Sequence, residues 1–242
     1  MRKFFALSRV LLLAALVALV IPQAGFPFSD DPIPAEPEAA GILPRVLIIG
    51  DSISIGYTPE VKFILASKAE VKHNPGNAQH TGTGLAKLDD WLGDEKWAVI
   101  HFNWGLWDLC YRAEGAGLRR DKESGKVTFS IEEYRQNLEK LVLRLKKTRA
   151  RLIWASTTMV PEGEAGRKVG DDRRYNAAAE ALMKKYGIPI NDLNKVSRKM
   201  PSELFRAPGD VHFKPAGRRI LAERVAAKIE AALASGGGRR SR

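Results

Sequence analysis

The sequence predicts a doubly wound α/β domain, three layers deep, with a mainly parallel sheet between two sets of helices. Three observations carry that expectation. Short apolar runs alternate along the chain with amphipathic stretches of helical spacing. The runs are apolar on both faces, as strands covered by helices on either side must be. And 242 residues, 45% hydrophobic and 28% charged, suit one globular domain with a full core.

The elements follow in order. Arg45-Val-Leu-Ile-Ile-Gly50 reads as a strand buried on both faces. Pro59 to Ala69 has helical spacing through Val61, Ile64 and Leu65, and Val71 to His73 offers a short second strand. Thr83 to Leu92 is amphipathic through Leu85, Leu88 and Trp91, and Lys96 to Phe102 is the third strand. Ser130 to Thr148 is the clearest helix, with Ser130 as N-cap, Glu133 in the capping-box position and Leu138, Leu141, Val142 and Leu145 on one face. Arg151 to Ser156 is a fourth strand, Asp172 to Lys185 a helix, Gly187 to Asn191 a fifth strand, and Pro215 to Leu233 the closing helix. In such sheets a site forms at the C-terminal ends of the strands.

The two ends read differently. Arg2, Lys3 and Arg9 precede the apolar run Val10 to Ile21, then Ala24 and Gly25, the layout of a secretory signal over 1–25. The apolar run is too short to span a bilayer, so no stable membrane insertion is expected after cleavage, and the chain is expected to be secreted or periplasmic. Residues 26–44 hold five prolines and four carboxylates and read as a linker, and 234–242 as a basic, unstructured tail, which leaves 45–233 as the domain. Of the formal charge of +11, three positive residues fall in the N-terminal stretch and three in the tail, while the rest are scattered over helices among Glu and Asp. That pattern excludes a nucleic-acid partner. The single cysteine, Cys110, forms no internal disulfide and reads as a small buried hydrophobe. His73, His80, His101 and His212 lack metal-ligand spacing, and no metal or cofactor is expected.

Gly50-Asp51-Ser52-Ile53 follows the first strand directly and puts the Ser52 hydroxyl on a tight turn before a helix. Its backbone N–H, at a helix N-terminus, is placed to donate to an oxyanion. Read alone, Asp51 and Ser52 would simply cap the helix. They are not alone, because Asp210-Val-His212-Phe213 stands near the C-terminus before the helix at Pro215. A serine hydroxyl needs an adjacent base of the imidazole type, which makes His212 the candidate, and Asp210 two residues away gives the ring an orienting carboxylate.

With these motifs the stretch from Arg45 to Leu233 resembles the SGNH (GDSL-type) hydrolases, in an exported bacterial subgroup. The resemblance implies a flavodoxin-like fold and an acyl-enzyme mechanism with Ser52 as nucleophile, His212 as base and Asp210 as the third member. The family's second block, a glycine after an Asn-containing loop, matches Asn77-Ala-Gln-His-Thr-Gly82, with Gly84 a competitor; its N–H would be an oxyanion donor beside that of Ser52. The third block, G-x-N-D, corresponds to Gly105-Leu-Trp107-Asp108, so Trp stands where the family has an Asn donor. Asn103 is the nearest replacement, unless it holds the loop backbone instead, and Trp107 is expected to line the acyl or sugar pocket with Asp51 as a further substrate contact. The fourth block, D-x-x-H, departs too, since Gly209 lies three before His212 and Asp210 two before. Asp192 is the reserve carboxylate. Trp104, Trp107 and Tyr111 are either a sugar platform or core.

The expected function is an exported serine esterase that removes acyl, most simply acetyl, groups from an acylated carbohydrate or another small ester. A lipase or thioesterase of the same fold is the second enzymatic reading. A glycan-binding module that kept the fold and lost catalysis is the third.

Overall fold

The computed structural model describes residues 42–115, 117 and 119–235 of the chain. The expected signal stretch, nearly all of the linker and residues 236–242 of the expected tail lie outside the described residues.

Five parallel strands form the central sheet: β1 (Arg45–Ile49), β2 (Glu70–His73), β3 (Val99–Phe102), β6 (Arg151–Ala155) and β7 (Ile190–Asn191), in the order β2-β1-β3-β6-β7. A two-stranded antiparallel ribbon, β4 (Tyr111–Arg112) and β5 (Lys126–Val127), stands apart from it. Helices α1 (Ser52–Ile64) and α6 (Pro215–Ala234) pack on each other, with the short α5 (Leu193–Arg198) against α6. A second group is α2 (Thr81–Leu92) on α3 (Ile131–Lys147), and α3 on α4 (Asp171–Tyr186). The strands are apolar on both faces for this reason: Val46, Ile48, Ile49, Val99, Ile100 and Phe102 have no exposed surface.

Helix α3 shows how local sequence fixes an element. Ser130 Oγ accepts the Glu133 N–H and Glu133 returns a bond to the Ser130 N–H, closing the capping box. Its stripe of Tyr134, Leu138, Leu141, Val142 and Leu145 is wholly buried.

Four elements differ from the sequence expectation by two residues or more. Helix α1 starts at Ser52 and ends at Ile64, whereas Pro59 had been read as its first residue; the Asp51 side chain caps it by accepting the Ile53 N–H at 2.9 Å, and Pro59 sits inside. A mid-helix proline removes the donor that would reach the Ile55 carbonyl and sets its ring against that carbonyl, and the helix carries both costs. Helix α2 begins two residues early at Thr81, capped by the imidazole of His80. Strand β3 begins at Val99 instead of Lys96, and β7 is two residues long. The ribbon and α5 carry no periodic signal long enough to be read. Trp104 is core, with no exposed surface, and Cys110 is a buried free thiol.

In this topology β1 lies between β2 and β3, so the loops after β1 and β3 leave the sheet in opposite directions. The crevice between them is where open α/β sheets bind ligands.

Candidate active site

The turn after β1 is tightly specified. The Gly50 N–H donates to Asn74 Oδ1 at 2.9 Å, and a Cβ at Gly50 would lie 2.7 Å from Ser54 Oγ. Asp51 is extended and its carbonyl accepts the Ile55 N–H, which makes Ser52 the first residue of α1. The Ser52 N–H therefore has no acceptor within the helix and points out with the positive end of the helix dipole.

His212 comes from the opposite end of the chain. Its loop is held by a bridge between Phe205 and Phe213, with the Arg206 N–H donating to the His212 carbonyl at 2.9 Å. The ring is fixed on both sides. Ser52 Oγ lies 2.8 Å from Nε2, and Asp210 Oδ1 lies 2.6 Å from Nδ1 and 3.0 Å from the His212 backbone nitrogen. An acceptor at Nδ1 selects the tautomer with the proton on Nδ1, which leaves the Nε2 lone pair facing the serine O–H. Burial alone would raise the Asp210 carboxyl, but the backbone and ring N–H of His212, with the charge of Arg206, hold it below the usual value.

The structure separates the two carboxylates left open by the sequence. Asp192 Oδ1 accepts the Ser156 hydroxyl and the Lys195 N–H, capping α5, and makes no bond to His212. It also explains the departure at Gly209. That residue has φ +72°, and a Cβ on it would lie 2.7 Å from the Gly163 carbonyl oxygen. No side chain fits there, so the carboxylate comes from the next position. Gly209→Ala is expected to cost about 2 kcal/mol or more in urea unfolding, from left-handed backbone plus overlap; a cost under about 0.5 kcal/mol would mean the loop relaxes freely.

Helix α2 offers the next donor. The Thr81 N–H is taken by Asp108 Oδ1 at 2.9 Å and the Thr83 N–H by His80 Nδ1 at 3.1 Å, while the Gly82 N–H has no acceptor among the described residues. The competing Gly84 donates to the His80 carbonyl, and a Cβ on it would lie 2.7 Å from Trp104 Cζ2, so its lack of a side chain serves packing.

Asp108, the last residue of the third block, holds α2 in place. It has no exposed surface, accepts the Thr81 hydroxyl as well as its N–H, and leaves Oδ2 without a partner. Burial pushes its carboxyl up to about 7, against the two Thr81 bonds that lower it. The folded protein then holds this proton more tightly than the unfolded chain, so its contribution to stability is full in acid and is lost as pH rises from the ordinary 3.8 through about 7. Asp108→Asn is expected to remove that decline. Urea unfolding of both proteins at pH 5 and 7.5 checks it, and a difference independent of pH would place the proton elsewhere.

Two expected contacts are corrected. The Asn103 amide nitrogen donates to the Ala155 carbonyl at 2.7 Å and approaches Thr157 Oγ1 at 3.4 Å, tying β3 to the end of β6 instead of facing an oxyanion. Four residues before the third-block position that Trp107 holds, Asn103 turns its amide into the sheet. Asp51 is 2% exposed, with Oδ1 on the Ile53 N–H and Oδ2 without a partner, so it caps α1 from beneath and does not reach a substrate. Asp51, Asn103, Leu106, Ser156 and Thr158 line a cavity of about 10 Å³ behind the serine. Trp107 is half-buried and the Arg112 guanidinium lies 4.9 Å from its ring centroid, which occupies one indole face. Sequence reasoning missed Asn74, which pins the turn, and the buried pair Glu164 and Arg167, 2.9 Å apart. A Glu and an Arg three apart in a loop carry no signal of burial.

No family model matches the chain, and no curated protein does. Solved structures do. A lipase/acylhydrolase from Enterococcus faecalis superposes with a TM-score of 0.65 at 19% identity, over 78% of this chain and 96% of that one. An acetyl xylan esterase gives 0.62 at 15% identity, over 76% and 99%. The acetylxylan esterase of Geobacillus stearothermophilus gives 0.60 at 18% identity, over 78% and 95%. The chain thus shares the α/β fold of these acylhydrolases and esterases. Within that class its fold is the SGNH (GDSL-type) hydrolase fold, a mostly parallel sheet between helices.

Proposed function

We propose that the protein is a serine carboxylic-ester hydrolase that removes acyl, most simply acetyl, groups from carbohydrate. One observation carries the reading: an unbroken path from Ser52 through the His212 ring to Asp210, at 2.8 and 2.6 Å, on the C-terminal edge of the sheet. His212 takes the Ser52 proton through Nε2 as Oγ adds to the ester carbonyl, and Asp210 stabilises the imidazolium. The N–H groups of Ser52 and Gly82 receive the oxyanion. As the tetrahedral intermediate collapses, the C–O bond to the sugar breaks and the imidazolium gives its proton to the departing alcohol, leaving the acyl-enzyme, which water activated by the same imidazole then hydrolyses to free acid and Ser52. The free face of Trp107 is the proposed substrate contact.

The intact serine, histidine and carboxylate set favours an enzyme over a binding module, because a fold kept only for binding has no reason to hold that tautomer. The acetyl-carbohydrate assignment is supported by fold neighbours that are acetyl xylan esterases. Residues 1–25 are proposed to export the chain to the periplasm or beyond; among the described residues no helix is long and apolar enough to cross a membrane.

Hydrolysis of aryl esters of graded chain length tests the assignment. Activity should peak at acetyl, and a fluorophosphonate should label Ser52 alone, found by peptide mapping. A peak at long acyl chains would shift the reading to a lipase or thioesterase. No hydrolysis by the folded protein would leave the binding module.

A further inference from the structure

With Asn103 turned inward and Trp107 in place of the third-block Asn, the proposed oxyanion site holds two backbone donors and lacks a side-chain donor. The loop between β6 and α4, residues 156–170, carries one. Glu164 is fully buried, and its Oε1 receives both Arg167 Nη1 at 2.9 Å and Arg120 Nη1 at 2.7 Å, while Oε2 receives the Gly166 N–H. Arg167 is 6% exposed, and its Nε donates to the Leu106 carbonyl at 2.6 Å. Two of its three nitrogens are thus fixed. The third, Nη2, has no partner among the described residues and is not one of their sealed polar atoms, so it opens to solvent.

The position of this guanidinium is set by its neighbours. Leu106, which it holds, belongs to the third block and shares with Asp51 the small cavity behind Ser52. Three to four residues before Arg167 the same loop meets the histidine loop, where Gly163 and Glu164 lie against Gly209. Arg167 is therefore bonded to the third block directly, and its salt-bridge partner Glu164 lies against the histidine loop. The charges agree: burial raises the Asp51 carboxyl, and the Ile53 N–H bond, then the charges of Arg167 and His212, oppose that rise without cancelling it. One buried carboxylate, Glu164, serves two guanidinium groups. Burying a guanidinium is costly. A buried cation held rigidly with one amino group open is the arrangement that stabilises a developing negative charge without reorganising.

We propose that Arg167 is a catalytic residue, the third oxyanion donor, whose Nη2 hydrogen-bonds the tetrahedral intermediate where this fold's usual Asn amide is replaced by Trp107. The proposal rests on the serine-esterase reading. As Ser52 Oγ bonds to the carbonyl carbon, its proton passes to His212 Nε2 and the carbonyl π pair becomes the oxyanion. Arg167 keeps its proton throughout and only donates.

Arg167→Lys keeps a cation beside Glu164 but loses the planar fork. It is expected to lower kcat on an aryl acetate by about a hundredfold, with KM changed less than threefold, as for a donor used in the transition state. Affinity for a boronic acid, a tetrahedral mimic, should fall in parallel. Arg120→Ala, which removes the other partner of Glu164, should leave kcat within about twofold, separating a donor from a structural cation. Unchanged kcat and boronate affinity in folded Arg167→Lys would overturn the proposal, as would an equal loss in Arg120→Ala. A measurement on unaltered protein covers failure of the variant to fold. With 15N-labelled arginine, boronate addition should move one guanidinium Nη resonance downfield and slow its exchange, and an unchanged spectrum overturns the assignment. Absence of any Ser52-dependent hydrolysis would fail the esterase reading, whereas Ser52-dependent hydrolysis indifferent to Arg167 would fail this inference alone.

Discussion

Ser52→Ala is expected to lower kcat on an aryl acetate by about 10⁴ to 10⁶, the range seen when a serine enzyme loses its nucleophile. The middle of that range corresponds to about 7 kcal/mol in the activation barrier. The whole of it belongs to chemistry, because among the described residues the only side-chain bond of Ser52 is the one to His212 at 2.8 Å, and both residues are half-buried. Thermal unfolding should move by less than a degree or two, since a half-exposed hydroxyl contributes on the order of 0.5 kcal/mol. The backbone N–H of residue 52 survives the substitution, so a residual rate above that of water is expected from the oxyanion site. Steady-state kinetics and a melting curve decide it. A variant within tenfold of the parent would remove Ser52 from the mechanism.

Asp210→Asn should be nearly as severe, about 10⁴ in kcat at neutral pH with KM little changed. The carboxylate accepts from both the ring and the backbone of His212. An amide at that position presents a donor to Nδ1, which favours the tautomer with its proton on Nε2. That proton then faces Ser52, and the ring cannot act as base until it flips. The parallel change Asp192→Asn keeps an acceptor for the α5 cap and should cost at most about 1 kcal/mol in stability with kcat intact. If Asp192→Asn proves the more damaging in kinetics, the triad as proposed is wrong.

The elements differed in how far they could be read. Helix α3 was legible to the residue because the capping box and the apolar stripe lie within one short window. Helix α1 was misread at its start because Pro59 is a local signal for a first turn, while the true cap, Asp51, belongs to a motif read for its chemistry. The ribbon of β4 and β5 was invisible, since its register depends on a crossing of the loop with residues 165 and 166, where the Gly166 carbonyl accepts the Tyr111 N–H.

The sequence by itself determined the order of strands and helices, the turn that presents Ser52, and the histidine that pairs with it. These rest on short-range physics: apolar periodicity, capping and the pKa of imidazole. Only the tertiary structure decided which donors and carboxylates are free. Asp108, 27 residues from Thr81, takes the N–H next to that of Gly82, and Asn103 is closed because Ala155, 52 residues away, takes its amide. Arg167 gains its place by reaching Leu106, 61 residues back along the chain. Whether a hydrogen-bonding group is available to a substrate depends on what else it already bonds, and in a wound sheet those partners come from distant loops brought to one edge.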